Sequence, residues 1–98
     1  AIYAGAAVVT GSATADTSKH AMSVLFNEAS STLSLDGTQI GAGNPGNSPI
    51  AGLCLGAHGG GGYFTSVDFA FVGFSDNLLT TQQRSDLLAW SRSFYGTP

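Results

Sequence analysis

The chain has 98 residues, 43% of them hydrophobic and only 9% charged, with a net charge of −3, and at that length it forms one domain with a thin core. Three Lys and Arg against six Asp and Glu cannot build the positive stripe that a phosphate backbone requires, which excludes nucleic acid as a partner. So little charge, against about 25% in an ordinary soluble domain, suggests a chain that works inside an assembly.

Taken in order, residues Ile2 to Val9 read as a strand that ends at Thr10-Gly11-Ser12, followed by a polar turn through Asp16-Thr17-Ser18. His20 to Phe26 alternates with period two: Met22, Val24 and Phe26 fall on one side, Ala21, Ser23 and Leu25 on the other. After the link Asn27 to Ser30 comes a hairpin. Its turn is Asp36-Gly37, because a type I′ turn needs positive φ at both central positions and Asp and Gly tolerate it. That turn sets Leu35 opposite Thr38 and Leu33 opposite Ile40. A loop rich in Gly, Asn and Pro runs from Gly41 to Pro49, Leu53 to Ala57 reads as a short strand, and Phe64 to Phe74 as the longest one. The period then changes. Thr80 with Gln83 forms a capping box, and Leu87, Leu88, Trp90, Phe94 and Tyr95 recur at helical spacing before Gly96, which predicts one helix of about 14 residues packed on a sheet. The pattern predicts an all-β fold, an antiparallel β-sandwich with one C-terminal α-helix.

Two glycine motifs imitate catalytic ones. His58 to Gly61 copies the His-Gly-Gly-Gly run with which esterases stabilise an oxyanion, but the nucleophile elbow that must accompany it is missing: Gly73-Phe74-Ser75-Asp76-Asn77 lacks the final glycine and precedes a loop. Gly41 to Gly46 matches Gly-x-Gly-x-x-Gly, yet Pro45 and Pro49 forbid the helix that would hold a pyrophosphate. Both read as turns.

Paired carboxylates are scarce as well. Glu28 is the one glutamate, and Asp68 has no acid two residues away on its face. His20 and His58 lack zinc spacing and read as exposed strand-end residues. Calcium would find oxygen donors in Asp16, Asn27, Asp36, Asp76 and Asn77, but no loop concentrates several of them, and no cofactor is expected. Cys54 is alone, so an intrachain disulfide is impossible and its neighbours Leu53 and Leu55 mark it as a small hydrophobe. No stretch approaches the roughly 20 apolar residues of a membrane helix, so no membrane partner is expected. Trp90 and Tyr95 could offer sugar-stacking faces, although their place on the helix stripe favours packing onto the sheet. The residues singled out for ligand binding are His58 and Tyr63 beside the glycine run, and Asp76 and Asn77 before the helix; none is assigned a catalytic role.

Three pieces, HAMSVLFNEASSTLSLDGTQI, GNPGNSPIAGLCLGAHGGGGYF and DFAFVGFSDNLLTTQQRSDLLAWSRSFYG, together resemble the C-terminal half of concanavalin A-like, laminin-G-type jelly-roll domains. Such domains occur in bacteriophage tail and other virion proteins and in bacterial surface proteins. The matching features are the strand with Asn-x-Ala-Ser, the Asp-Gly hairpin, the Leu-x-Leu-Gly-Ala strand, the penultimate strand and a closing helix that ends at Tyr-Gly. One departure is Phe69-Ala70, where relatives often carry Ala-Glu.

The resemblance implies a chain that is the C-terminal part of a longer domain or polypeptide, or a protomer in an oligomer whose partner covers its open sheet faces. It also implies a non-catalytic structural or adhesion module of a phage virion, in a virion or extracellular setting. Its expected partners are other virion subunits or an N-terminal region of the same chain, and a host-surface carbohydrate. The alternative is the accessory carbohydrate-binding part of a secreted glycan-degrading enzyme.

Overall fold

The structure, a computed structural model, describes residues 5–13, 16–48 and 68–98. Its regular elements are three strands, β1 (Met22–Leu25), β2 (Ser31–Leu35) and β3 (Thr38–Gly43), and one helix, α1 (Thr81–Tyr95). The strands form one antiparallel sheet in the order β1-β2-β3.

The hairpin follows from its turn. Asp36 and Gly37 both take positive φ, 50° and 85°, which twists the turn in the same sense as the strands it joins. Leu35 pairs with Thr38 and Ser34 with Gln39, as that turn requires. Beyond them the register slips: a bulge between Leu33 and Ser34 sets Leu33 opposite Gly41 rather than Ile40. Ile40 becomes the extra residue. It still reaches the core, where it packs against Val9 and Leu33.

The link before β2 is a tight 3₁₀ turn over Glu28–Ser30. Ser31 closes it. Its hydroxyl is fully buried, donates to the Glu28 carbonyl at 2.7 Å and accepts from the Asn27 N–H at 2.8 Å.

Residues 5–12 lie along β3. Ala6 N–H donates to Pro45 O and Ser12 N–H to Ile40 O, both at 3.0 Å, so the two segments run in opposite senses. Gly11 lets this segment close over the sheet: a Cβ there would stand 2.6 Å from Ile40 Cδ1 and 3.0 Å from Leu33 Cδ2. Val9 thereby covers Leu33, and these two form the buried hydrophobic core among the described residues.

Helix α1 begins and ends where its caps dictate. Thr80 Oγ1 accepts from Gln83 N–H while Gln83 Oε1 accepts from Thr80 N–H, and Gly96, at φ 68°, donates back to Arg92 O. No residue of α1 is buried. Leu88, Ser91 and Tyr95 make its more covered side, with Leu88 set against Gly37 of the hairpin turn.

These observations overturn the all-β sandwich, jelly roll included. A sandwich stacks two sheets about 10 Å apart with both inner faces interdigitated. Among the described residues one small sheet carries a core of two buried hydrophobic residues and stands with one helix, too small and too open for that architecture. The long strand expected over Phe64 to Phe74 is also absent from its described part, residues 68–74. In that segment the Phe71 ring lies over Gly73, and the Ala70 carbonyl accepts from the Tyr95 hydroxyl at 3.3 Å instead of from a neighbouring strand. Of its alternating aromatics Phe71 therefore serves the helix, edge-on to Trp90 at 5.2 Å. The strand expected over Ile2 to Val9 shrinks, within its described part, to a single bridge at Val9. The strand Leu53 to Ala57 lies outside the described residues.

Candidate functional site

Among the described residues, the densest polar constellation gathers at the open end of β1, around His20. Two elements converge there. The polar turn places Asp16 four residues before His20, and the β2–β3 turn brings Asp36 back beside Ala21, one step beyond the Met22–Leu35 pair. Asp36 Oδ1 accepts from Ala21 N–H at 2.8 Å, and Asp36 N–H donates to Ala21 O at 2.8 Å. His20 then stands between two carboxylates, with Nδ1 at 2.6 Å from Asp36 Oδ2 and Nε2 at 2.8 Å from Asp16 Oδ1.

With both acids ionised, one protonation state satisfies both contacts. A carboxylate accepts and cannot donate, so each ring nitrogen must carry a hydrogen, and the ring is an imidazolium. In accord with this, the hydrogen bond to Asp36 first, then that to Asp16, raises the His20 pKa above its ordinary 6.5. The His20 hydrogen bond first, then the Ser18 N–H, lowers the Asp16 pKa below its ordinary 3.8. The cluster is partly wet, with side chains 16% exposed at Asp36, 27% at His20 and 52% at Asp16.

Chemically this is a clasp. Both imidazole nitrogens are engaged, so no lone pair is left to act as a base. The carboxylates bind opposite sides of the ring, and among the described residues no group of three His, Cys, Asp or Glu is arranged to hold a metal ion. The donors weighed for calcium separate accordingly: Asp16 and Asp36 turn to His20, while Asp76 and Asn77 turn to each other, with Asn77 Nδ2 3.2 Å from Asp76 Oδ1.

Asp76 and Asn77, two of the four ligand candidates, are exposed in the loop before α1, where Ser75 Oγ also donates to Asn77 O at 2.8 Å. His58 and Tyr63 lie outside the described residues. Trp90, expected to pack on the sheet, instead joins an aromatic cluster with Phe71, Phe94 and Tyr95. Its ring is stacked on Phe94 at 5.6 Å and edge-on to Tyr95 at 5.4 Å. Phe94 remains 70% exposed. A shallow hollow lined by Ala6, Glu28, Asn44, Gly46 and Asn47 carries polar groups that bond to one another, such as Asn47 Nδ2 to Glu28 Oε1 at 3.4 Å.

Sequence reasoning missed the clasp because it took His20, Asp16 and Asp36 singly. The signal was available: an Asp and a His four residues apart, and a hairpin register that, continued by one pair, carries Asp36 to the base of β1. Compared with protein-family models, with curated proteins and with solved structures, the chain matches none. Nothing in those comparisons identifies a concanavalin A-like domain.

Proposed function

We propose that this chain is a non-catalytic structural or adhesion module of an extracellular assembly such as a phage virion, and that it is completed by neighbouring protein surface. One observation carries the reading. Among the described residues two hydrophobic side chains are buried, whereas twelve large ones are exposed, including Met22 and Val24 on one side of β1, Phe26 just beyond it, and Phe69, Phe71 and Phe74 before the helix. Scattered apolar residues are normal on a surface, but apolar residues grouped on one strand face mark a site where another surface packs. A charged fraction of 9% supports the same reading, and the sequence resemblance to a domain type that occurs in virion and bacterial surface proteins suggests the setting.

Binding of a host-surface carbohydrate is a second reading, favoured by the exposed aromatics around Trp90, since the face of an indole or phenyl ring takes up the C–H side of a sugar. It would serve equally in an accessory part of a secreted glycan-degrading enzyme. Sedimentation velocity of the full chain over a wide concentration range, run beside a glycan array, tests both. Reversible self-association or capture by a partner subunit supports the assembly reading, and array binding that is lost in Trp90→Ala supports the second. A monomer at every concentration that binds neither glycan nor partner contradicts the proposal.

A further inference from the structure

We propose that His20 is a one-sided, pH-operated latch: its imidazolium fastens the 16–19 loop to the hairpin turn, and loss of a single proton releases the loop while the turn stays closed. The inference stands on the geometry of the clasp and is independent of the functional reading above.

The asymmetry decides which side opens. A neutral imidazole has one N–H and can donate to one carboxylate, so the other ring nitrogen then faces an acceptor with its own lone pair. Asp36 holds the better claim on the remaining proton. Its contact is the shorter, 2.6 Å against 2.8 Å, and its side chain is the less exposed. Asp36 is also fixed by Ala21 N–H through its other oxygen and by two positive-φ turn residues. Among the described residues Asp16 is otherwise held by Ser18 alone, whose N–H donates to it at 2.7 Å within the same turn. Deprotonation therefore leaves Nδ1–H on Asp36 and turns the Nε2 lone pair against Asp16.

The other charged groups near the cluster support this direction. From α1, Arg92 Nη2 donates to the Asp36 carbonyl at 3.2 Å and so braces the turn, while Lys19 adjoins His20 within the loop that is freed. The helix contact does not pass through the proton that is lost. The latch thus frees one loop and leaves the sheet and helix joined.

The test is a pH titration of the full chain by NMR from about pH 5 to 9, following the His20 ring and the backbone of Ser18, Lys19, Asp36 and Gly37. The expected result is a His20 midpoint above 6.5, with the Ser18 and Lys19 amides becoming mobile at that same midpoint and Asp36 and Gly37 unchanged. In Asp16→Asn the ring midpoint should fall and the loop should be mobile at every pH, with the hairpin signals intact. Asp36→Asn, which still suits the turn, should lower the midpoint further. A midpoint at or below 6.5, or loop and turn loosening together, would overturn the latch. Should Asp36→Asn fail to fold, the wild-type and Asp16→Asn titrations decide alone.

Discussion

His20 Nδ1 lies 2.6 Å from Asp36 Oδ2, a bridge across 16 residues of sequence that pins the start of β1 to the turn between β2 and β3. The bridge fixes the sign of the pH dependence. His20 has a raised pKa, so its contribution to stability is complete below the ordinary value of 6.5 and is lost as pH rises through the raised value. Asp16 has a lowered pKa, so its contribution is complete above the ordinary 3.8 and is lost as pH falls through the lowered value. Urea unfolding followed against pH should therefore show a plateau from about 3.8 to 6.5 for these two groups, with a decline on the alkaline side that His20→Gln abolishes. An alkaline decline of equal size in His20→Gln would assign that slope elsewhere.

Ser31 should be costly to change for a residue so small. Its buried hydroxyl satisfies the Asn27 N–H and the Glu28 carbonyl together, and Ser31→Ala strips both partners at once. The expected loss is about 1–3 kcal/mol, the range for leaving a buried polar group unpaired. Equilibrium denaturation measures it; a change below about 0.5 kcal/mol, the ordinary effect of a surface substitution, would mean that the 3₁₀ turn holds without this serine.

Gly37 performs two tasks, a left-handed conformation at φ 85° and a seat for Leu88 of α1. Gly37→Ala should destabilise by about 1–2 kcal/mol from backbone strain alone, with a further loss because the new methyl displaces Leu88. Double-mutant analysis with Leu88→Ala separates the two. If the cost of Gly37→Ala is the same in either background, the helix does not rest on this turn.

Leu33 and Met22 form a contrast of position. Leu33 is buried beneath Val9, whereas Met22 is 66% exposed. Leu33→Ala should cost about 2–3 kcal/mol, the lower end for a buried leucine in a core that can collapse, and Met22→Ala under about 0.5 kcal/mol. Comparable costs would place the core elsewhere.

Local chemistry was legible in the sequence wherever a few neighbouring residues determine it. Asp36-Gly37 specified its turn, and Thr80, Gln83 and Gly96 specified both ends of α1, because caps and turns depend on φ and on hydrogen bonds within one or two residues. What covers an apolar face was not legible. Met22, Val24 and Phe26 do alternate, yet all three stay exposed although Val24 pairs with buried Leu33, while Ala21 and Leu25 are half-covered. Period two reports that one face is apolar and carries no information about what packs on it. Phe69 and Phe71 show the same limit, since their alternation suits a strand but Trp90 and Tyr95 claim the segment. The bulge beside Ser34 was hidden for a related reason, as no turn residue encodes where Gly11 allows the 5–12 segment to press on β3. For the candidate site, each member of the clasp was visible but not its partnership, which needs the hairpin register and the Asp16 turn together.

Val24 pairs with Leu33, so the apolar side of β1 continues the face that Leu33 buries under Val9, and the central claim is that its exposed residues Met22 and Phe26 serve a partner's surface. The double substitution Met22→Thr with Phe26→Thr tests it, because threonine keeps strand propensity while removing apolar area, and thermal unfolding read together with sedimentation gives the answer. The account predicts a melting temperature within a few degrees of the parent, as expected for surface changes in a domain of this size, with association lost. A collapse of cooperative unfolding in the variant, with association of the parent never observed, would contradict it.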